Sequence, residues 1–395
     1  MKRMITTVGT SLFANYDNER KDIRDHLAGI KGKRYSRWPE NQERIELIRK
    51  AVTRWMSGNK NASAEISSIL KLKDLLREDF EVHLLCSDTI ESALAAEMIA
   101  EYFARDTHGG IEVHFDAKVD VIKGLQVNDA RAFAQDGMIN LVKRFVALAG
   151  EYGEFTGDLV LNITGGHKGT IPYLTLLGQI YNVPIYYLFE DTDVLLKIPQ
   201  APIDIDWGSF AKYSASFKEV EKGVEDNWEH YKRVHSIEDD FSSCVEEIDA
   251  DGTAMIALNA VGMMFWQRFQ SFFVVYLPRG GKYWDEEKTK KKELQQSLQR
   301  LYKRLKDLRD NGVSLDTYTS DELDHVRIKD TFTFKDSSGR FRIQFKPEGE
   351  ALIIYNYFYI KDAASDKLYS KWMTDQYDNL KESELDPVVL QKPRL

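Results

Sequence analysis

Leu159-Val160-Leu161-Asn162-Ile163-Thr164-Gly165-Gly166-His167-Lys168-Gly169-Thr170 decides how the first half of this chain is read. An apolar run ends in Asn162 and Thr164, a glycine-rich turn follows, and Ile171 to Tyr181 is apolar and of helical length. Strand, tight turn and helix in that order direct backbone N–H groups at a helix N-terminus, where anions bind. Three glycines let a ligand approach the backbone, and Lys168 adds a charge suited to phosphate. The same pattern also suits a βα turn that binds nothing. The order of residues is not that of a nucleotide P-loop or of a dinucleotide fingerprint.

The chain opens on a second unit of this kind. Met4-Ile5-Thr6-Thr7-Val8 reads as a strand and runs into Gly9-Thr10-Ser11-Leu12-Phe13. In an open parallel sheet, ligands lie outside the carboxyl ends of the strands, where the strand order switches. Val8-Gly9-Thr10-Ser11-Leu12, followed much later by Asn162-Ile163-Thr164-Gly165-Gly166-His167-Lys168-Gly169, resembles the CARF domain of CRISPR-associated effectors over residues 1–200. The resemblance implies a Rossmann-like, homodimeric sensor of cyclic oligoadenylate, with cyclic tetra-adenylate as the activating ligand and no other cofactor. Carried over to this chain, the ligand-binding residues are Gly9, Thr10, Ser11, Asn162, Thr164, Gly165, Gly166, His167, Lys168 and Gly169.

A chain of 395 residues with 43% hydrophobic content is long enough for two or three domains with cores of their own. No apolar run approaches membrane-helix length, and no leader pattern precedes the first strand. Two cysteines, Cys86 and Cys244, lie far apart, and no Cys or His spacing suits a metal. These features point to a cytoplasmic, reduced, metal-free protein. The formal net charge of −9 argues against a general nucleic-acid coat. Its distribution is uneven: residues 201–270 hold 14 acids against 6 Lys/Arg, and residues 288–346 hold 15 Lys/Arg against 9 acids. The basic segment is where an RNA partner is to be sought.

The expected fold class is an α/β Rossmann-like domain over 1–200, a helical or winged-helix connector over 201–270 and an α+β domain over 271–395. Ile45, Ile48, Val52 and Trp55 mark a helix within a helical insertion at 17–58. Strands follow at 81–86 and 111–115, helices at 91–103 and 131–149, and a hairpin pair at 184–189 and 194–198. Pro199 to Pro202 closes the first domain. Residues 203–270 read as mostly helical. The last third gives a strand at 272–277, a helix at 286–310 striped by Leu294, Leu298, Leu301, Leu305 and Leu308, strands at 324–329, 340–346 and 351–360, and a helix at 366–380. The tail after Asp386 reads as loose.

Alternate side chains share one face of a strand. His325, Arg327 and Lys329 therefore point one way, and so do Arg340, Arg342 and Gln344. If the two strands are neighbours, they present a basic surface suited to an anion or simply a solvated face. The Leu-rich helix ending in Asn311-Gly312, the strand Val326-Arg327-Ile328, Gly339-Arg340-Phe341-Arg342-Ile343, Tyr357-Phe358-Tyr359-Ile360-Lys361 and Leu368-Tyr369-Ser370 resemble RelE-like ribosome-dependent mRNA interferases over residues 270–380. Arg342 matches that family's central-strand arginine, Lys361 falls near its late basic residue, and Tyr369 matches its C-terminal tyrosine. Ala363 stands where some relatives place a catalytic arginine. The resemblance implies metal-independent cleavage of mRNA on the ribosome, in which the ribose 2′-OH attacks the adjacent phosphate. Arg342, Lys361, Arg340, Arg327 and Lys329 would stabilise charge, and Tyr369 or His325 would move the proton; Tyr369 suits base stacking or simple packing equally well. The competing reading is a non-enzymatic, ligand-gated regulator that binds DNA or a protein.

Overall fold

The structure, a computed structural model, describes residues 1–105, 109–126, 128–150, 156–189, 194–238, 240–250, 252–315, 323–348, 351–362, 365 and 368–392; of 250, 323–326 and 351 it describes the backbone alone. The chain divides into two compact units: 1–205 with 216–268, and 206–215 with 269–395. Residues 201–270 are thus shared between the two. Among the described residues no helix is long and apolar enough to cross a membrane.

The first unit is built on a mixed sheet with helices, compatible with a Rossmann-like domain. Its strands are β1 (Lys2–Val8), β2 (Phe80–Ser87), β3 (Ile111–His114), β4 (Val121–Ile122), β5 (Leu159–Asn162), β6 (Ile185–Leu188) and β7 (Leu195–Ile198). The order is β3-β2-β1-β5-β6-β7, with β4 also paired to β2. All pairs are parallel except β6 with β7. The switch in strand order falls between β1 and β5, where Thr6 pairs with Asn162. Central in the sheet, β2 buries Phe80, Val82, Leu84, Leu85 and Cys86, as a parallel strand covered on both faces requires.

Helices α1 (Ser11–Glu19), α2 (Arg24–Ile30) and α3 (Gln42–Met56) form the expected insertion, and Ile45, Ile48 and Val52 are buried. The sequence reading passed over α4 (Ala64–Leu76), although Ser63 caps it and Ile66, Ile69 and Leu72 stripe it. Further along the sheet-bearing part of this unit come α5 (Ile90–Arg105), α6 (Ala117–Asp120), α7 (Ala130–Ala132), α8 (Met138–Ala149) and α9 (Ile171–Ile180). Between α7 and α8 the backbone makes a π-helical turn, Phe133–Gly137, inside the span read as one regular helix.

Downstream come α10 (Trp207–Lys212), α11 (Ser214–Val220), α12 (Trp228–Val234), a hairpin of β8 (Val245–Ala250) with β9 (Thr253–Leu258), and α13 (Ala260–Gln270). The hairpin corrects the mostly helical expectation for 203–270. Gly252, with φ +87°, lies in its turn, and its N–H donates to Asp249 Oδ1 at 2.7 Å.

The second unit holds β10 (Phe272–Pro278), α14 (Lys282–Asp285), α15 (Lys288–Asp310), β11 (Leu323–Ile328), β12 (Thr331–Lys335), β13 (Phe341–Glu348), β14 (Ala351–Tyr359), α16 (Tyr369–Leu380) and β15 (Leu385–Gln391). Its sheet runs β11-β12-β13-β14-β10-β15, antiparallel except for β10 with β14. Two expectations change. The tail is an edge strand on β10, a place where Pro387 costs no interior ladder bond. And β12 separates β11 from β13, so the two basic strands are not neighbours. The alternation Thr331-Phe332-Thr333-Phe334 carried that strand in the sequence.

Leu294, Leu298 and Leu301 of α15 pack on Phe341, Ile343 and Phe345, while α16 covers the opposite face through Tyr369 and Met373. The turn between β12 and β13 is tied to α15. Asp336, fully buried, accepts from Arg300 Nε at 2.5 Å and Nη2 at 3.0 Å, and from the Ser338 hydroxyl. Burial pushes the Asp336 carboxyl up, but Arg300 and Ser338 outweigh it and hold it below the ordinary range. A depressed carboxylate contributes stability above its unfolded pKa of about 4 and loses it as pH falls through the lower folded value. Asp336→Asn should therefore lower stability at pH 7 by about 2 kcal/mol, less than for a fully buried pair because Arg300 is part-exposed. Urea unfolding followed at pH 7 and again at acid pH checks this: the gap between the two proteins should narrow as pH falls, and a gap of zero at pH 7 would refute it.

Candidate functional sites

The two glycine turns of the first unit meet. A Cβ on Gly9 would lie 2.9 Å from the Gly166 nitrogen, so these backbones are in direct contact. Gly166 has φ +90°, and a Cβ there would come within 2.9 Å of Thr7 Cβ. The Thr7 hydroxyl donates to the Gly165 carbonyl at 2.6 Å. The strand ends on either side of the sheet switch point are therefore locked together, in the place where open α/β sheets bind ligands.

Between them lies a residue that the sequence reading missed. Glu65, at the start of α4 and 1% exposed, accepts from Gly9 N–H at 2.8 Å and from the Ser11 hydroxyl at 2.7 Å. Ser11 Oγ in turn accepts from Ala64 N–H at 3.1 Å. A Cβ on Gly165 would lie 2.1 Å from Glu65 Oε1. The first turn thus already holds an anion, and it is the protein's own. Thr10 caps α1 with its carbonyl, which accepts from Phe13 and Ala14.

Asn162 and Thr164 brace the second turn. Asn162 is fully buried; its amide donates to Ser68 Oγ at 2.8 Å, and its Oδ1 accepts from the Thr164 hydroxyl at 2.7 Å. Thr164 Oγ1 accepts from Leu188 N–H at 2.9 Å, which ties the turn to β6. His167 caps a single 3-10 turn, Lys168–Thr170: its Nδ1 accepts from Gly169 N–H at 3.2 Å. In the neutral ring the proton then lies on Nε2. Lys168 is exposed.

The His167 ring meets Phe133 at 5.7 Å and 67°. Phe133 opens the π-helical turn, a feature found often at functional sites. Gln135 and Asp136 of that turn line a cavity of about 1030 Å³ at the carboxyl ends of β2 and β4. Arg34, Lys118, Lys123 and Arg131 face it, together with Asp88, Asp129 and Asp136. Its size suits a nucleotide-sized ligand or a larger one.

In the second unit the structure brings Arg342 and Tyr369 together and separates the rest. The Arg342 guanidinium carbon stands 5.6 Å from the Tyr369 ring centroid. Arg342 is only 3% exposed, and its Nη1 reaches the Gly339 and Phe341 carbonyls at 3.4 and 3.3 Å. Gln344 is fully buried and donates to Thr331 Oγ1 at 3.0 Å. The face expected to be an open basic surface is thus closed by α16, because Ile328, Tyr369 and Met373 pack there.

Arg340 pairs instead with Glu293 at 3.0 Å, Arg327 stacks 4.9 Å over Phe332, and Lys329 pairs with Asp378. Lys329, at φ +56°, has left the strand, so its expected alternation with Arg327 ends there. Lys361 follows β14 and is exposed. His325 lies in β11 with its side chain outside the described residues, as does Ala363 altogether.

Removing Glu65 tests how the first site is held. Glu65→Ala leaves the Gly9 N–H and the Ser11 hydroxyl without their acceptor and should cost about 1–3 kcal/mol in urea unfolding. Glu65→Gln keeps one acceptor and should cost less. Equal stability of all three proteins would show that the carboxylate does not hold the turn.

Residues 60–201 match the model of a family described as CRISPR-associated protein (Cas_APE2256). The matched stretch takes in Glu65, the π-helical turn and the whole Gly165–Gly169 turn, and leaves Gly9–Ser11 outside. No curated protein matches the chain. Over that stretch the protein is similar to a CRISPR-associated family.

Proposed function

We propose that the protein is a CRISPR-associated sensor and effector: a cyclic oligoadenylate, the four-membered ring in particular, binds the first unit and activates a metal-independent, RelE-like endoribonuclease in the second, which cleaves mRNA on the ribosome. The observation that carries the sensor half is the meeting of the two glycine turns at the β1–β5 switch point, with His167 against Phe133 of the π-helical turn, whose Gln135 and Asp136 line the cavity of about 1030 Å³. The similarity of residues 60–201 to a CRISPR-associated family supports a CRISPR-related role. A two-fold ligand is best met by a two-fold interface, so the active form is a homodimer through the first unit. The site acts in the cytoplasm, where mRNA and ribosomes are found.

The packing of Arg342 on Tyr369 supports the effector half. In this reading the ribose 2′-OH attacks the adjacent phosphorus, the 5′-oxygen leaves with a proton, and a 2′,3′-cyclic phosphate remains. Arg342 stabilises the charge developing on the phosphoryl oxygens. Tyr369 delivers or takes a proton, or stacks on a base. Both residues are buried, so activity requires α16 to yield the face that it covers. The burial equally favours the second reading, a non-enzymatic regulator in which the pair is only packing.

Two measurements decide. Gly166→Asp forces a Cβ against Thr7 at φ +90° and adds a carboxylate to the turn, and calorimetry should show loss of cyclic tetra-adenylate binding; binding at wild-type strength would count against the sensor site. On programmed ribosomes Arg342→Ala should slow mRNA cleavage by about 10²–10³-fold. Wild-type cleavage by that variant, or activity that chelators abolish on intact ribosomes, would count against the nuclease assignment.

A further inference from the structure

The carboxyl ends of the parallel strands β10 and β14 gather a group of cations, of which only Lys361 has been given a role above. Lys282, the first residue of α14, holds its Nζ 5.0 Å from the Tyr357 ring centroid and 5.7 Å from that of Trp372. Glu286, with a side chain only 10% exposed, lies 3.9 Å from Lys282 and 3.3 Å from Lys290. The buried Tyr357 hydroxyl donates to Glu286 at 3.0 Å and fixes that carboxylate in place. Glu287, on the open side, lies 3.8 Å from Lys290. Lys361, just beyond β14, lies near enough to act on the charge of Lys282.

Burial, and the positive charges of Lys290 and Lys361, push the Lys282 amine below its ordinary range, while Glu286 works against them. Lys282 and Lys290 thus flank the fixed carboxylate of Glu286, and Lys361 follows the end of the neighbouring strand β14. The Lys282 and Lys290 side chains keep 45% and 42% of their exposure, so both are open to a ligand. An anion arriving there would relieve the repulsion. Trp372 is part-exposed and Trp284 exposed, which adds aromatic faces beside the charges. Phosphate charges with bases between them suit both features.

We infer that Lys282, Lys290 and Lys361, with Trp372, form a binding site for the phosphodiester backbone of single-stranded RNA. This rests on the nuclease reading for the identity of its ligand. It adds an accessible contact to a domain whose arginine, Arg342, is closed off: Trp372 packs on Phe358 at 5.4 Å, and Phe358 pairs across the strands with Arg342.

The test is fluorescence anisotropy of the full chain with a labelled 2′-O-methyl RNA hexamer, which cannot be cleaved through its 2′ oxygen. Lys282→Ala should weaken binding about tenfold, as expected for one lost charged contact. It should also reduce the slope of log affinity against log salt by about 0.7. Lys282→Arg should retain both. Lys361→Ala, at an exposed position with no part in packing, should repeat the loss and carries the test if Lys282→Ala lowers the unfolding midpoint. Unchanged affinity and slope in both alanine variants would overturn the site. An equal fall in Lys335→Ala, at an exposed position on β12, would reduce the effect to net charge and overturn it too. Displacement by tripolyphosphate as efficient per phosphate as by unlabelled RNA would assign the site to free polyphosphate instead. Ribosome cleavage is scored separately. Lysine-dependent binding without cleavage would sink the nuclease reading and keep the site, and cleavage with intact binding in both variants would do the reverse.

Discussion

The contact on which the first unit depends is the approach of the Gly9 backbone to the Gly166 backbone. A Cβ on Gly9 would lie 2.9 Å from the Gly166 nitrogen, and one on Gly166 would lie 2.9 Å from Thr7 Cβ. Because β1 and β5 are adjacent and parallel, that contact fixes where both strands end relative to each other. It also shapes the seat of Glu65, whose carboxylate uses the N–H and the hydroxyl that the first turn displays. The glycines therefore have a packing reason before they have a binding one. An incoming anion at the first turn would have to compete with a carboxylate already in place. At the second turn, Lys168 is exposed, and His167 meets Phe133 of the π-helical turn, whose Gln135 and Asp136 line the cavity.

Much of this unit was legible because its signals are local. Apolar runs gave β1, β2 and β5, and glycine-rich turns marked the strand ends. Glu65 was not legible as a site residue, because a lone acid in a polar stretch reads as a solvated helix position. Only the fold brings it 54 residues back along the chain to Ser11. The helix that carries it is marked locally, by the capping Ser63 and the stripe Ile66, Ile69, Leu72. The π-helical turn was not readable, since its departure from regular spacing shows only once Phe133 packs against His167.

The second unit shows where alternation misleads. In β13 the pattern of Arg342 and Gln344 against Phe341, Ile343 and Phe345 predicts one wet face and one dry face. Both faces are dry, because helices cover the sheet on both sides. A polar residue on a covered face must find partners, and Gln344 and Arg342 do so through Thr331 and backbone carbonyls. Sequence alone could not say that α16 folds back over this face. Nor could it separate the two basic strands without first recognising β12. Residues that alternate alike on two strands converge only if the strands are neighbours, and here they are not.

The two helices that close this sheet are held differently. α15 buries Leu294, Leu298, Leu301 and Leu308 against a large aromatic and aliphatic cluster. α16 rests on a smaller one, Ile328, Tyr369 and Met373, with Phe358 and Trp372 at its edge. Its other ties are the Tyr377 ring against Tyr355 at 5.1 Å and a set of polar contacts. Tyr377 donates to Asp330, whose carboxyl is drawn down to about 2 chiefly by the hydrogen bond from Lys346 and then by that from Tyr377, and Lys329 pairs with Asp378. Exposed pairs of this kind contribute little each and are screened by salt. Less apolar surface holds α16 than α15, so α16 is the element that opens at lower cost. If Arg342 acts on a phosphate, opening at α16 is the route by which substrate reaches it. The lysines at the ends of β10 and β14 lie beside Trp372, on the margin of that same helix, where a bound backbone could wait.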